Sequence, residues 1–272
     1  LGEVGYSDNE IEYIKTLKED EINTLLNHKY NVNITKLMKE KKFIFANLDK
    51  YLDYINENNG NLTDIVAKVN TKASLGWYKS IADTDTSKGE LMLVNKFYKL
   101  SETYVPSDLV DVSLSYAYEG KQVSKMMYDS LTNMLDAAKE SGYNLVVSQG
   151  YRSYADQEEA YNDIEASSGV DYADKVAARP GHSEYQTGLS VVVKPLYTEG
   201  SDMENSPEHT WILENAYKYG FILRYSKDKE NITGFSYDAW RLRYVGSNAA
   251  RIIHNENITF DEYYEYYINY GG

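Results

Sequence analysis

The residues that could do chemistry are concentrated in three polar segments of the 272-residue sequence. The first segment, residues 148–154, follows a predicted strand and precedes a predicted helix capped by Ser153. A strand-to-helix turn presents its side chains at the edge of a sheet, where the guanidinium of Arg152 could bind a carboxylate through two parallel hydrogen bonds. The other interpretation is that Arg152 holds the turn to a neighbouring carboxylate, and spacing alone leaves both open.

The second and third segments surround a predicted buried strand and a predicted alternating strand. Residues 179–189 combine two glycines, a proline and seven hydrogen-bonding side chains ahead of the valine run at 191–193, which favours a ligand-facing loop. In residues 237–246, the period of two puts Trp240 and Leu242 on one face and Arg241 and Arg243 on the other. Two arginines on one face need carboxylate partners, either internal or from a ligand.

The composition removes several classes of function. Lys and Arg total 28 against 42 Asp and Glu, so the net charge is −14, and phosphate-backbone binding, which depends on clustered cations, is excluded. Cysteine is absent, which excludes disulfides, thiolate catalysis and Cys-ligated zinc. The four histidines form no His-x-x-x-His pair. The sequence shows no apolar run of membrane-spanning length and no signal peptide, and we expect an anchor or signal to have been removed before Leu1.

The helices and strands that must hold the three polar segments in place are predicted to form an α+β fold of two domains. Residues 1–82 show helical apolar spacing, a capping box at Ser7 and a cap at Thr63, and are predicted to be an all-helical module. Residues 83–272 mix predicted strands at 91–94, 145–147, 191–193, 221–223 and 243–245 with helices. These helices include a long amphipathic one through 123–135, one after Ser206, and two closing helices, the last with a capping box at Thr259.

In order and separation, the three segments resemble the VanY-type D-alanyl-D-alanine carboxypeptidases, zinc peptidases that trim the peptide stems of bacterial peptidoglycan. The resemblance runs from about Leu91 to Tyr267. Its motifs are Leu-Val-Asn-Lys at 93–96, Gly-Tyr-Arg-Ser-Tyr at 150–154, Pro-Gly-His-Ser-Glu-x-Gln-Thr-Gly-Leu at 180–189 and Trp-x-x-Arg-Tyr-Val-Gly at 240–246. It implies a small antiparallel sheet flanked by helices, the VanY/hedgehog-like peptidase fold. The helical first third resembles the extension of some Gram-positive members.

The sequence departs from the family pattern at every metal ligand. The family loop Ser-Glu-His-Gln-Thr-Gly-Leu-Ala-x-Asp supplies a His and an Asp to zinc, and here Tyr185 and Val192 stand at those positions. The family Glu-Pro-Trp-His supplies the catalytic base and the third ligand, and here Asp238 and Arg241 replace them. Valine has no donor atom and a guanidinium repels cations, so we expect no cofactor, although the family uses zinc.

The resemblance also implies a binding cleft. Arg152 corresponds to a residue that contacts the substrate or the developing oxyanion in the family. We predict that Arg152, Gln157, Ser183, Trp240 and Arg241 contact a ligand. We further hypothesise that Arg241 partly replaces the charge of the zinc ion, pairing with Asp238 or with a ligand carboxylate.

These observations favour an inactive VanY-type homologue that works as a binding or regulatory module at the bacterial cell envelope. Its partner would be a peptidoglycan stem peptide or a cell-envelope protein, and its location extracellular or envelope-associated. One alternative is an active carboxypeptidase with an unusual metal site built from His182, Glu184 and Asp238. Another is a structural protein that uses its tyrosine-rich surface, including the cluster at 263–270, as an interface.

Overall fold

A computed structural model describes residues 1–196 and 203–270 of the chain. The chain divides into two compact units, Leu1–Leu75 and Gly76–Gly272. The domain boundary expected after residue 82 stays a prediction. Within the described residues, no helix is both long enough and apolar enough to cross a membrane.

The first unit is built from five α-helices joined by turns. Their bounds are α1 Asp8–Ile14, α2 Glu19–Leu26, α3 Val32–Leu37, α4 Leu48–Glu57 and α5 Leu62–Asn70. α1 begins at the predicted capping box, where the backbone N–H of Ser7 donates to the Glu10 carboxylate at 2.8 Å. The predicted cap at Thr63 is wrong: the side chain of Asn61 caps α5 instead, accepting a hydrogen bond from the backbone of Asp64 at 2.8 Å.

The second unit holds the strands. They are β1 Ala82–Asp83, β2 Tyr98–Lys99, β3 Leu109–Asp111, β4 Gln122–Ser124, β5 Leu145–Gln149, β6 Ser190–Pro195, β7 Phe221–Tyr225 and β8 Asp238–Tyr244. The helices are α6 Lys125–Glu140, α7 Tyr154–Ser168, α8 Val170–Val176, α9 Pro207–Asn215, α10 Glu230–Thr233, α11 Gly246–Glu256 and α12 Phe260–Tyr263, which continues as a π-helical turn, Tyr264–Asn269.

The central sheet has the strand order β5-β6-β8-β7, and each neighbouring pair is antiparallel. α6 packs on one face of this sheet through Met127, Leu131 and Met134, which share an apolar core with Val191 of β6 and Leu242 of β8. Burying these side chains is the main favourable term in holding the helix on the sheet. The predicted α+β class, with a small antiparallel sheet flanked by helices, is confirmed.

The apolar run at 91–94 is not the predicted strand. The segment Thr86–Leu91 is a 3-10 helix, and Met92, Leu93 and Val94 follow it as buried, irregular chain. Their backbone is held by a side chain, because Arg243 donates hydrogen bonds to the carbonyls of Glu90 and Met92 at 2.8 and 3.0 Å. A short apolar run predicts burial, and it does not by itself distinguish a strand from other buried chain.

Candidate functional site

A cleft of about 480 Å³ opens in the second unit beside β7, β8, α7 and α8. Glu184 and Tyr185, the first two residues of the 3-10 turn Glu184–Thr187, form its floor. The polar side chains that line the cleft include Arg152, Gln157, Ser183, Tyr185, Asp238 and Arg241.

Residues at its two ends fix the 3-10 turn at the floor of the cleft. The side chain of Ser183 caps it by accepting a hydrogen bond from the backbone of Tyr185 at 3.4 Å. Gly188 ends it in the left-handed region at φ 67°, where a Cβ would lie 2.9 Å from the backbone nitrogen of Ser124. This geometry buries Tyr185, whose ring lies at the floor of the cleft and is 5% exposed.

Arg241 reaches the cleft from β8. The antiparallel register pairs Arg241 with Val192 of β6. An Nη of Arg241 lies 3.1 Å from a carboxylate oxygen of Asp238, and its guanidinium carbon lies 4.1 Å from the centre of the Tyr185 ring. Burial alone would lower the pKa of Arg241, but the neighbouring Tyr185 and Asp238 outweigh burial and raise it. The buried Nε of Arg241 has no hydrogen-bond partner among the described residues.

Arg152 approaches the same ring from the predicted strand-to-helix turn. Its guanidinium carbon lies 4.9 Å from the centre of the Tyr185 ring, and one Nη donates to the side chain of Gln157 at 3.1 Å. Burial lowers the pKa of Arg152, and the positive charge of Arg241 lowers it further. Two guanidinium groups therefore share one tyrosine ring, and of the two Arg241 is ion-paired with Asp238.

The structure brings most of the predicted binding residues together. Arg152, Gln157, Ser183 and Arg241 all line the cleft. Gln157 is held in place by donating to the carbonyl of Ala178 at 2.7 Å. Trp240 is not brought to the cleft: it lies in the apolar core beside His209, with ring centres 5.3 Å apart. The alternation along β8 explains this placement, because Trp240 occupies the core-facing register and Arg241 the opposite one.

The three metal-ligand positions named in the sequence differ in where they lie. Tyr185 and Arg241 face the cleft, whereas Val192 is half-buried and packs against the apolar core. The alternative metal set is dispersed. His182 points to the carbonyl of Asn95, with its Nδ1 at 2.7 Å, and Glu184 is paired with two buried arginines, so neither meets Asp238.

Those arginines belong to a buried charge network, here defined as Glu184, Arg224, Arg243 and Asp261. One oxygen of Glu184 lies 2.8 Å from Arg224 and 3.2 Å from Arg243, and Arg224 also contacts Asp261 at 2.6 Å. The partner expected for Arg243 is therefore internal. Sequence reasoning missed this network, because Arg224 and Asp261 stand outside the three polar segments.

Two further cleft residues were not singled out in the sequence. Tyr225, at the end of β7, is opposite Asp238 in register and lines the cleft. Tyr237 also lines it, and its hydroxyl lies 3.4 Å from Nε2 of His209. Tyr237 belongs to the third polar segment and could have been found there, whereas Tyr225 has no comparable signal.

Comparison with known proteins gives concordant matches. The family model described as D-alanyl-D-alanine carboxypeptidase, VanY, matches residues 120–247. A D-alanyl-D-alanine carboxypeptidase of Enterococcus faecium is 32% identical over 242 residues, which cover 85% of this chain and 72% of the relative.

Solved structures agree. The structure of the LdcB LD-carboxypeptidase, described as revealing the molecular basis of peptidoglycan recognition, has a TM-score of 0.64 and 37% identity and covers 69% of this chain and 91% of that one. The vancomycin-resistance D,D-pentapeptidase VanY in complex with Zn(II) has a TM-score of 0.54 and 31% identity over 64% of this chain and 98% of that one. VanYB in complex with D-alanine-D-alanine has the same TM-score and identity, with 64% and 96% covered.

These matches correct one expectation. The expectation of no cofactor is contradicted, because the similar VanY structure holds Zn(II). Zinc sites use Cys, His, Asp and Glu side chains, and the described part of the chain contains no group of three or more of them that could hold a metal. In the cleft, the guanidinium of Arg241 is cationic and is packed against Tyr185. A cation at this position repels a metal ion, so the described cleft residues do not fit zinc.

Proposed function

Because this chain belongs to the VanY D-alanyl-D-alanine carboxypeptidase family, we propose that it binds the peptide stems of bacterial peptidoglycan at their C-terminal carboxylate without cleaving them. The observation that carries the proposal is the pair of guanidinium groups, Arg152 and Arg241, that share the Tyr185 ring inside the cleft. A guanidinium is the side chain best suited to hold a carboxylate in a fixed orientation.

The unpartnered Nε of Arg241 supports a bound anion. A buried N–H without an acceptor costs about 1–3 kcal/mol, so a ligand oxygen that accepts from it gains affinity. The Tyr185 ring also keeps the two arginines apart while contacting both. The cleft is therefore preorganised for a carboxylate, and preorganisation lowers the entropy lost on binding.

The relatives supply the identity of the carboxylate. VanYB was solved with D-alanine-D-alanine, and LdcB with reference to peptidoglycan recognition. A stem peptide ends in such a D-alanine carboxylate. The cleft volume of about 480 Å³ suits the end of a short peptide.

The ion pair between Asp238 and Arg241 supports the proposal that the peptide is not cleaved. A general base must be free to accept a proton from an attacking water, and the Asp238 carboxylate is ion-paired at 3.1 Å with Arg241. The guanidinium itself stays protonated and cannot serve as a base. We place the protein at the bacterial cell envelope, where it meets stem peptides or a protein that presents them.

The test is to titrate a stem pentapeptide ending in D-Ala-D-Ala into the protein by calorimetry and to follow D-alanine release, with and without added Zn(II). We expect binding, no release of D-alanine, and a loss of affinity of about 10- to 100-fold in Arg152→Ala. Arg251→Ala, which removes an exposed arginine of α11, is the matched control and should bind like the wild type. Turnover of the peptide by the wild-type protein would overturn the proposal.

A further inference from the structure

We infer that Asp238 determines which ligands the cleft accepts, by acting as an internal carboxylate that competes with the carboxylate of the ligand for Arg241. The inference rests on the proposed function and goes further, because it assigns the specificity to a residue of the chain itself. It makes Asp238 a specificity-determining residue and not a catalytic one.

The geometry shows an internal carboxylate held in place. One oxygen of Asp238 accepts a hydrogen bond from the backbone N–H of Trp240 at 3.2 Å, while the other lies 3.1 Å from the Nη of Arg241. The Asp238 side chain is 32% exposed and that of Arg241 is 18% exposed. Both are accessible from the cleft, so a ligand carboxylate approaching Arg241 meets Asp238 at the same guanidinium.

The charged side chains that line the cleft leave an excess of positive charge, which favours a bound anion. Arg152 and Arg241 carry two positive charges, and Asp238 supplies one negative charge. Glu184 also lines the cleft, but its carboxylate belongs to the buried charge network. Glu204 is paired with Lys227 at 3.6 Å. Around the Tyr185 ring, the two arginines and Asp238 leave one uncompensated positive charge, and the exposed Lys175, which also lines the cleft, adds another.

Asp238 therefore has two effects on a ligand. It occupies one edge of the Arg241 guanidinium, which leaves the Nε of that residue and the guanidinium of Arg152 as the seat for a carboxylate. It also repels any second negative charge near that seat, because like charges at close range in a half-buried site disfavour each other. The cleft should prefer a peptide end with a single carboxylate over one with two.

The experiment compares the wild-type protein with Asp238→Asn. Asparagine has nearly the same shape and keeps an oxygen that can accept from the Trp240 backbone, so the substitution removes mainly the charge. Two probes are titrated by calorimetry, a stem pentapeptide with a free C-terminal carboxylate and the same peptide as its C-terminal amide. We expect Asp238→Asn to bind the free-acid peptide about tenfold more tightly than the wild type, with the affinity for the amide little changed.

The control is Asp129→Asn, which removes the charge of an exposed carboxylate on α6 and changes the net charge of the protein equally. It should leave both affinities unchanged. A second measurement needs no variant: the wild type should bind a peptide ending in D-alanine about tenfold more tightly than one ending in D-aspartate, which carries two carboxylates.

Equal or weaker binding of the free-acid peptide by a folded Asp238→Asn would overturn the inference, since Asp238 would then serve only to orient Arg241. If that variant does not fold, equal wild-type affinity for the two peptide ends overturns it instead. Failure of the proposed function looks different, because the wild-type protein would then either not bind the free-acid peptide or release D-alanine from it.

Discussion

Two groups of charged side chains lie on either side of the 3-10 turn that begins at Glu184, and they differ in charge balance and in exposure. Glu184 anchors the buried charge network, in which two arginines face two carboxylates and the side chains are at most 3% exposed. The next residue, Tyr185, faces the cleft, where its ring contacts two arginines. Of these, Arg241 is paired with Asp238, and the side chains of Asp238 and Arg241 are 32% and 18% exposed.

The difference indicates that the buried charges stabilise the fold, whereas the charges of the cleft are available for binding. A buried charge is tolerated when it is paired, and each charged side chain of the network has an opposite charge within 3.2 Å. An accessible site with positive charge in excess is not needed to hold the fold, and it is suited to bind an anion. Arginine alone is therefore a poor sign of function in this protein, whereas arginine with an unmatched charge and an accessible guanidinium is a good one.

The largest effect is expected from Arg224→Met, which removes a cation from the buried charge network. Glu184 and Asp261 would remain buried with their main partner missing, and breaking a buried pair in this way costs about 3–5 kcal/mol of unfolding free energy. Urea unfolding of the variant measures the loss. A loss below about 1 kcal/mol, the value typical of a surface pair, would contradict the proposed difference between the buried charge network and the charges of the cleft.

Arg241→Met tests the other side of the comparison. The partner left behind, Asp238, is partly exposed and can be hydrated, so we expect a change in unfolding free energy of only about 1 kcal/mol. Affinity for a stem pentapeptide should nevertheless fall by about tenfold or more, because a charged hydrogen-bond donor is lost. Calorimetry measures the affinity and urea unfolding measures the stability, both on the same preparation. A loss of stability as large as that of Arg224→Met would assign Arg241 to the fold.

Lys96 is a third kind of cation, buried without a carboxylate at hydrogen-bond distance in the described structure. It donates to the carbonyl of Asp174, its Nζ lies 4.3 Å from the centre of the Phe235 ring, and burial lowers its pKa to about 8. Between pH 8 and about 10, the unfolded chain holds a proton that the folded protein has released, so stability should rise with pH.

The measurement is the unfolding free energy from pH 7.5 to 9.5 in the wild type and in Lys96→Met. The rise should be present in the wild type and missing in the variant. An identical pH dependence in both proteins would show that Lys96 does not titrate in this window.

The smallest effect concerns the exposed pair of the first unit, His28 and Asp49, whose side chains meet at 2.7 Å. The hydrogen bond that the His28 ring donates to the Asp49 carboxylate raises the pKa of His28 above its usual 6.5. The pair therefore stabilises the fold below pH 6.5 and loses this effect as the pH rises through the folded pKa. Titration of the His28 ring by NMR should give a pKa above 6.5 that falls in Asp49→Asn, and an unchanged value would refute the pairing.

Local signals in the sequence predicted much of this structure. The capping boxes at Ser7 and Thr259 appear where expected, because a cap is decided by residues three apart. Arg152 was found for the same reason, since a strand-to-helix turn is a local feature. The alternation along β8 correctly separated Trp240 from Arg241.

Other features depend on contacts that no local pattern contains. Alternation could not say which face of β8 meets the core, so Trp240 was assigned to the ligand although it packs against His209. The partner of Arg243 is Glu184, 59 residues away along the chain, and strand pairing brings the two together. Tyr225 enters the cleft through its register with Asp238, which the sequence of β7 does not reveal.

The central claim is that the cleft holds a stem peptide by its carboxylate and leaves it intact. The most direct measurement is a crystal structure of the wild-type protein grown with a stem pentapeptide ending in D-Ala-D-Ala. We expect a complete peptide in the cleft, with its terminal carboxylate within hydrogen-bond distance of Arg152 and of the Nε of Arg241. A peptide shortened by its last D-alanine, or one bound away from these two arginines, would contradict it.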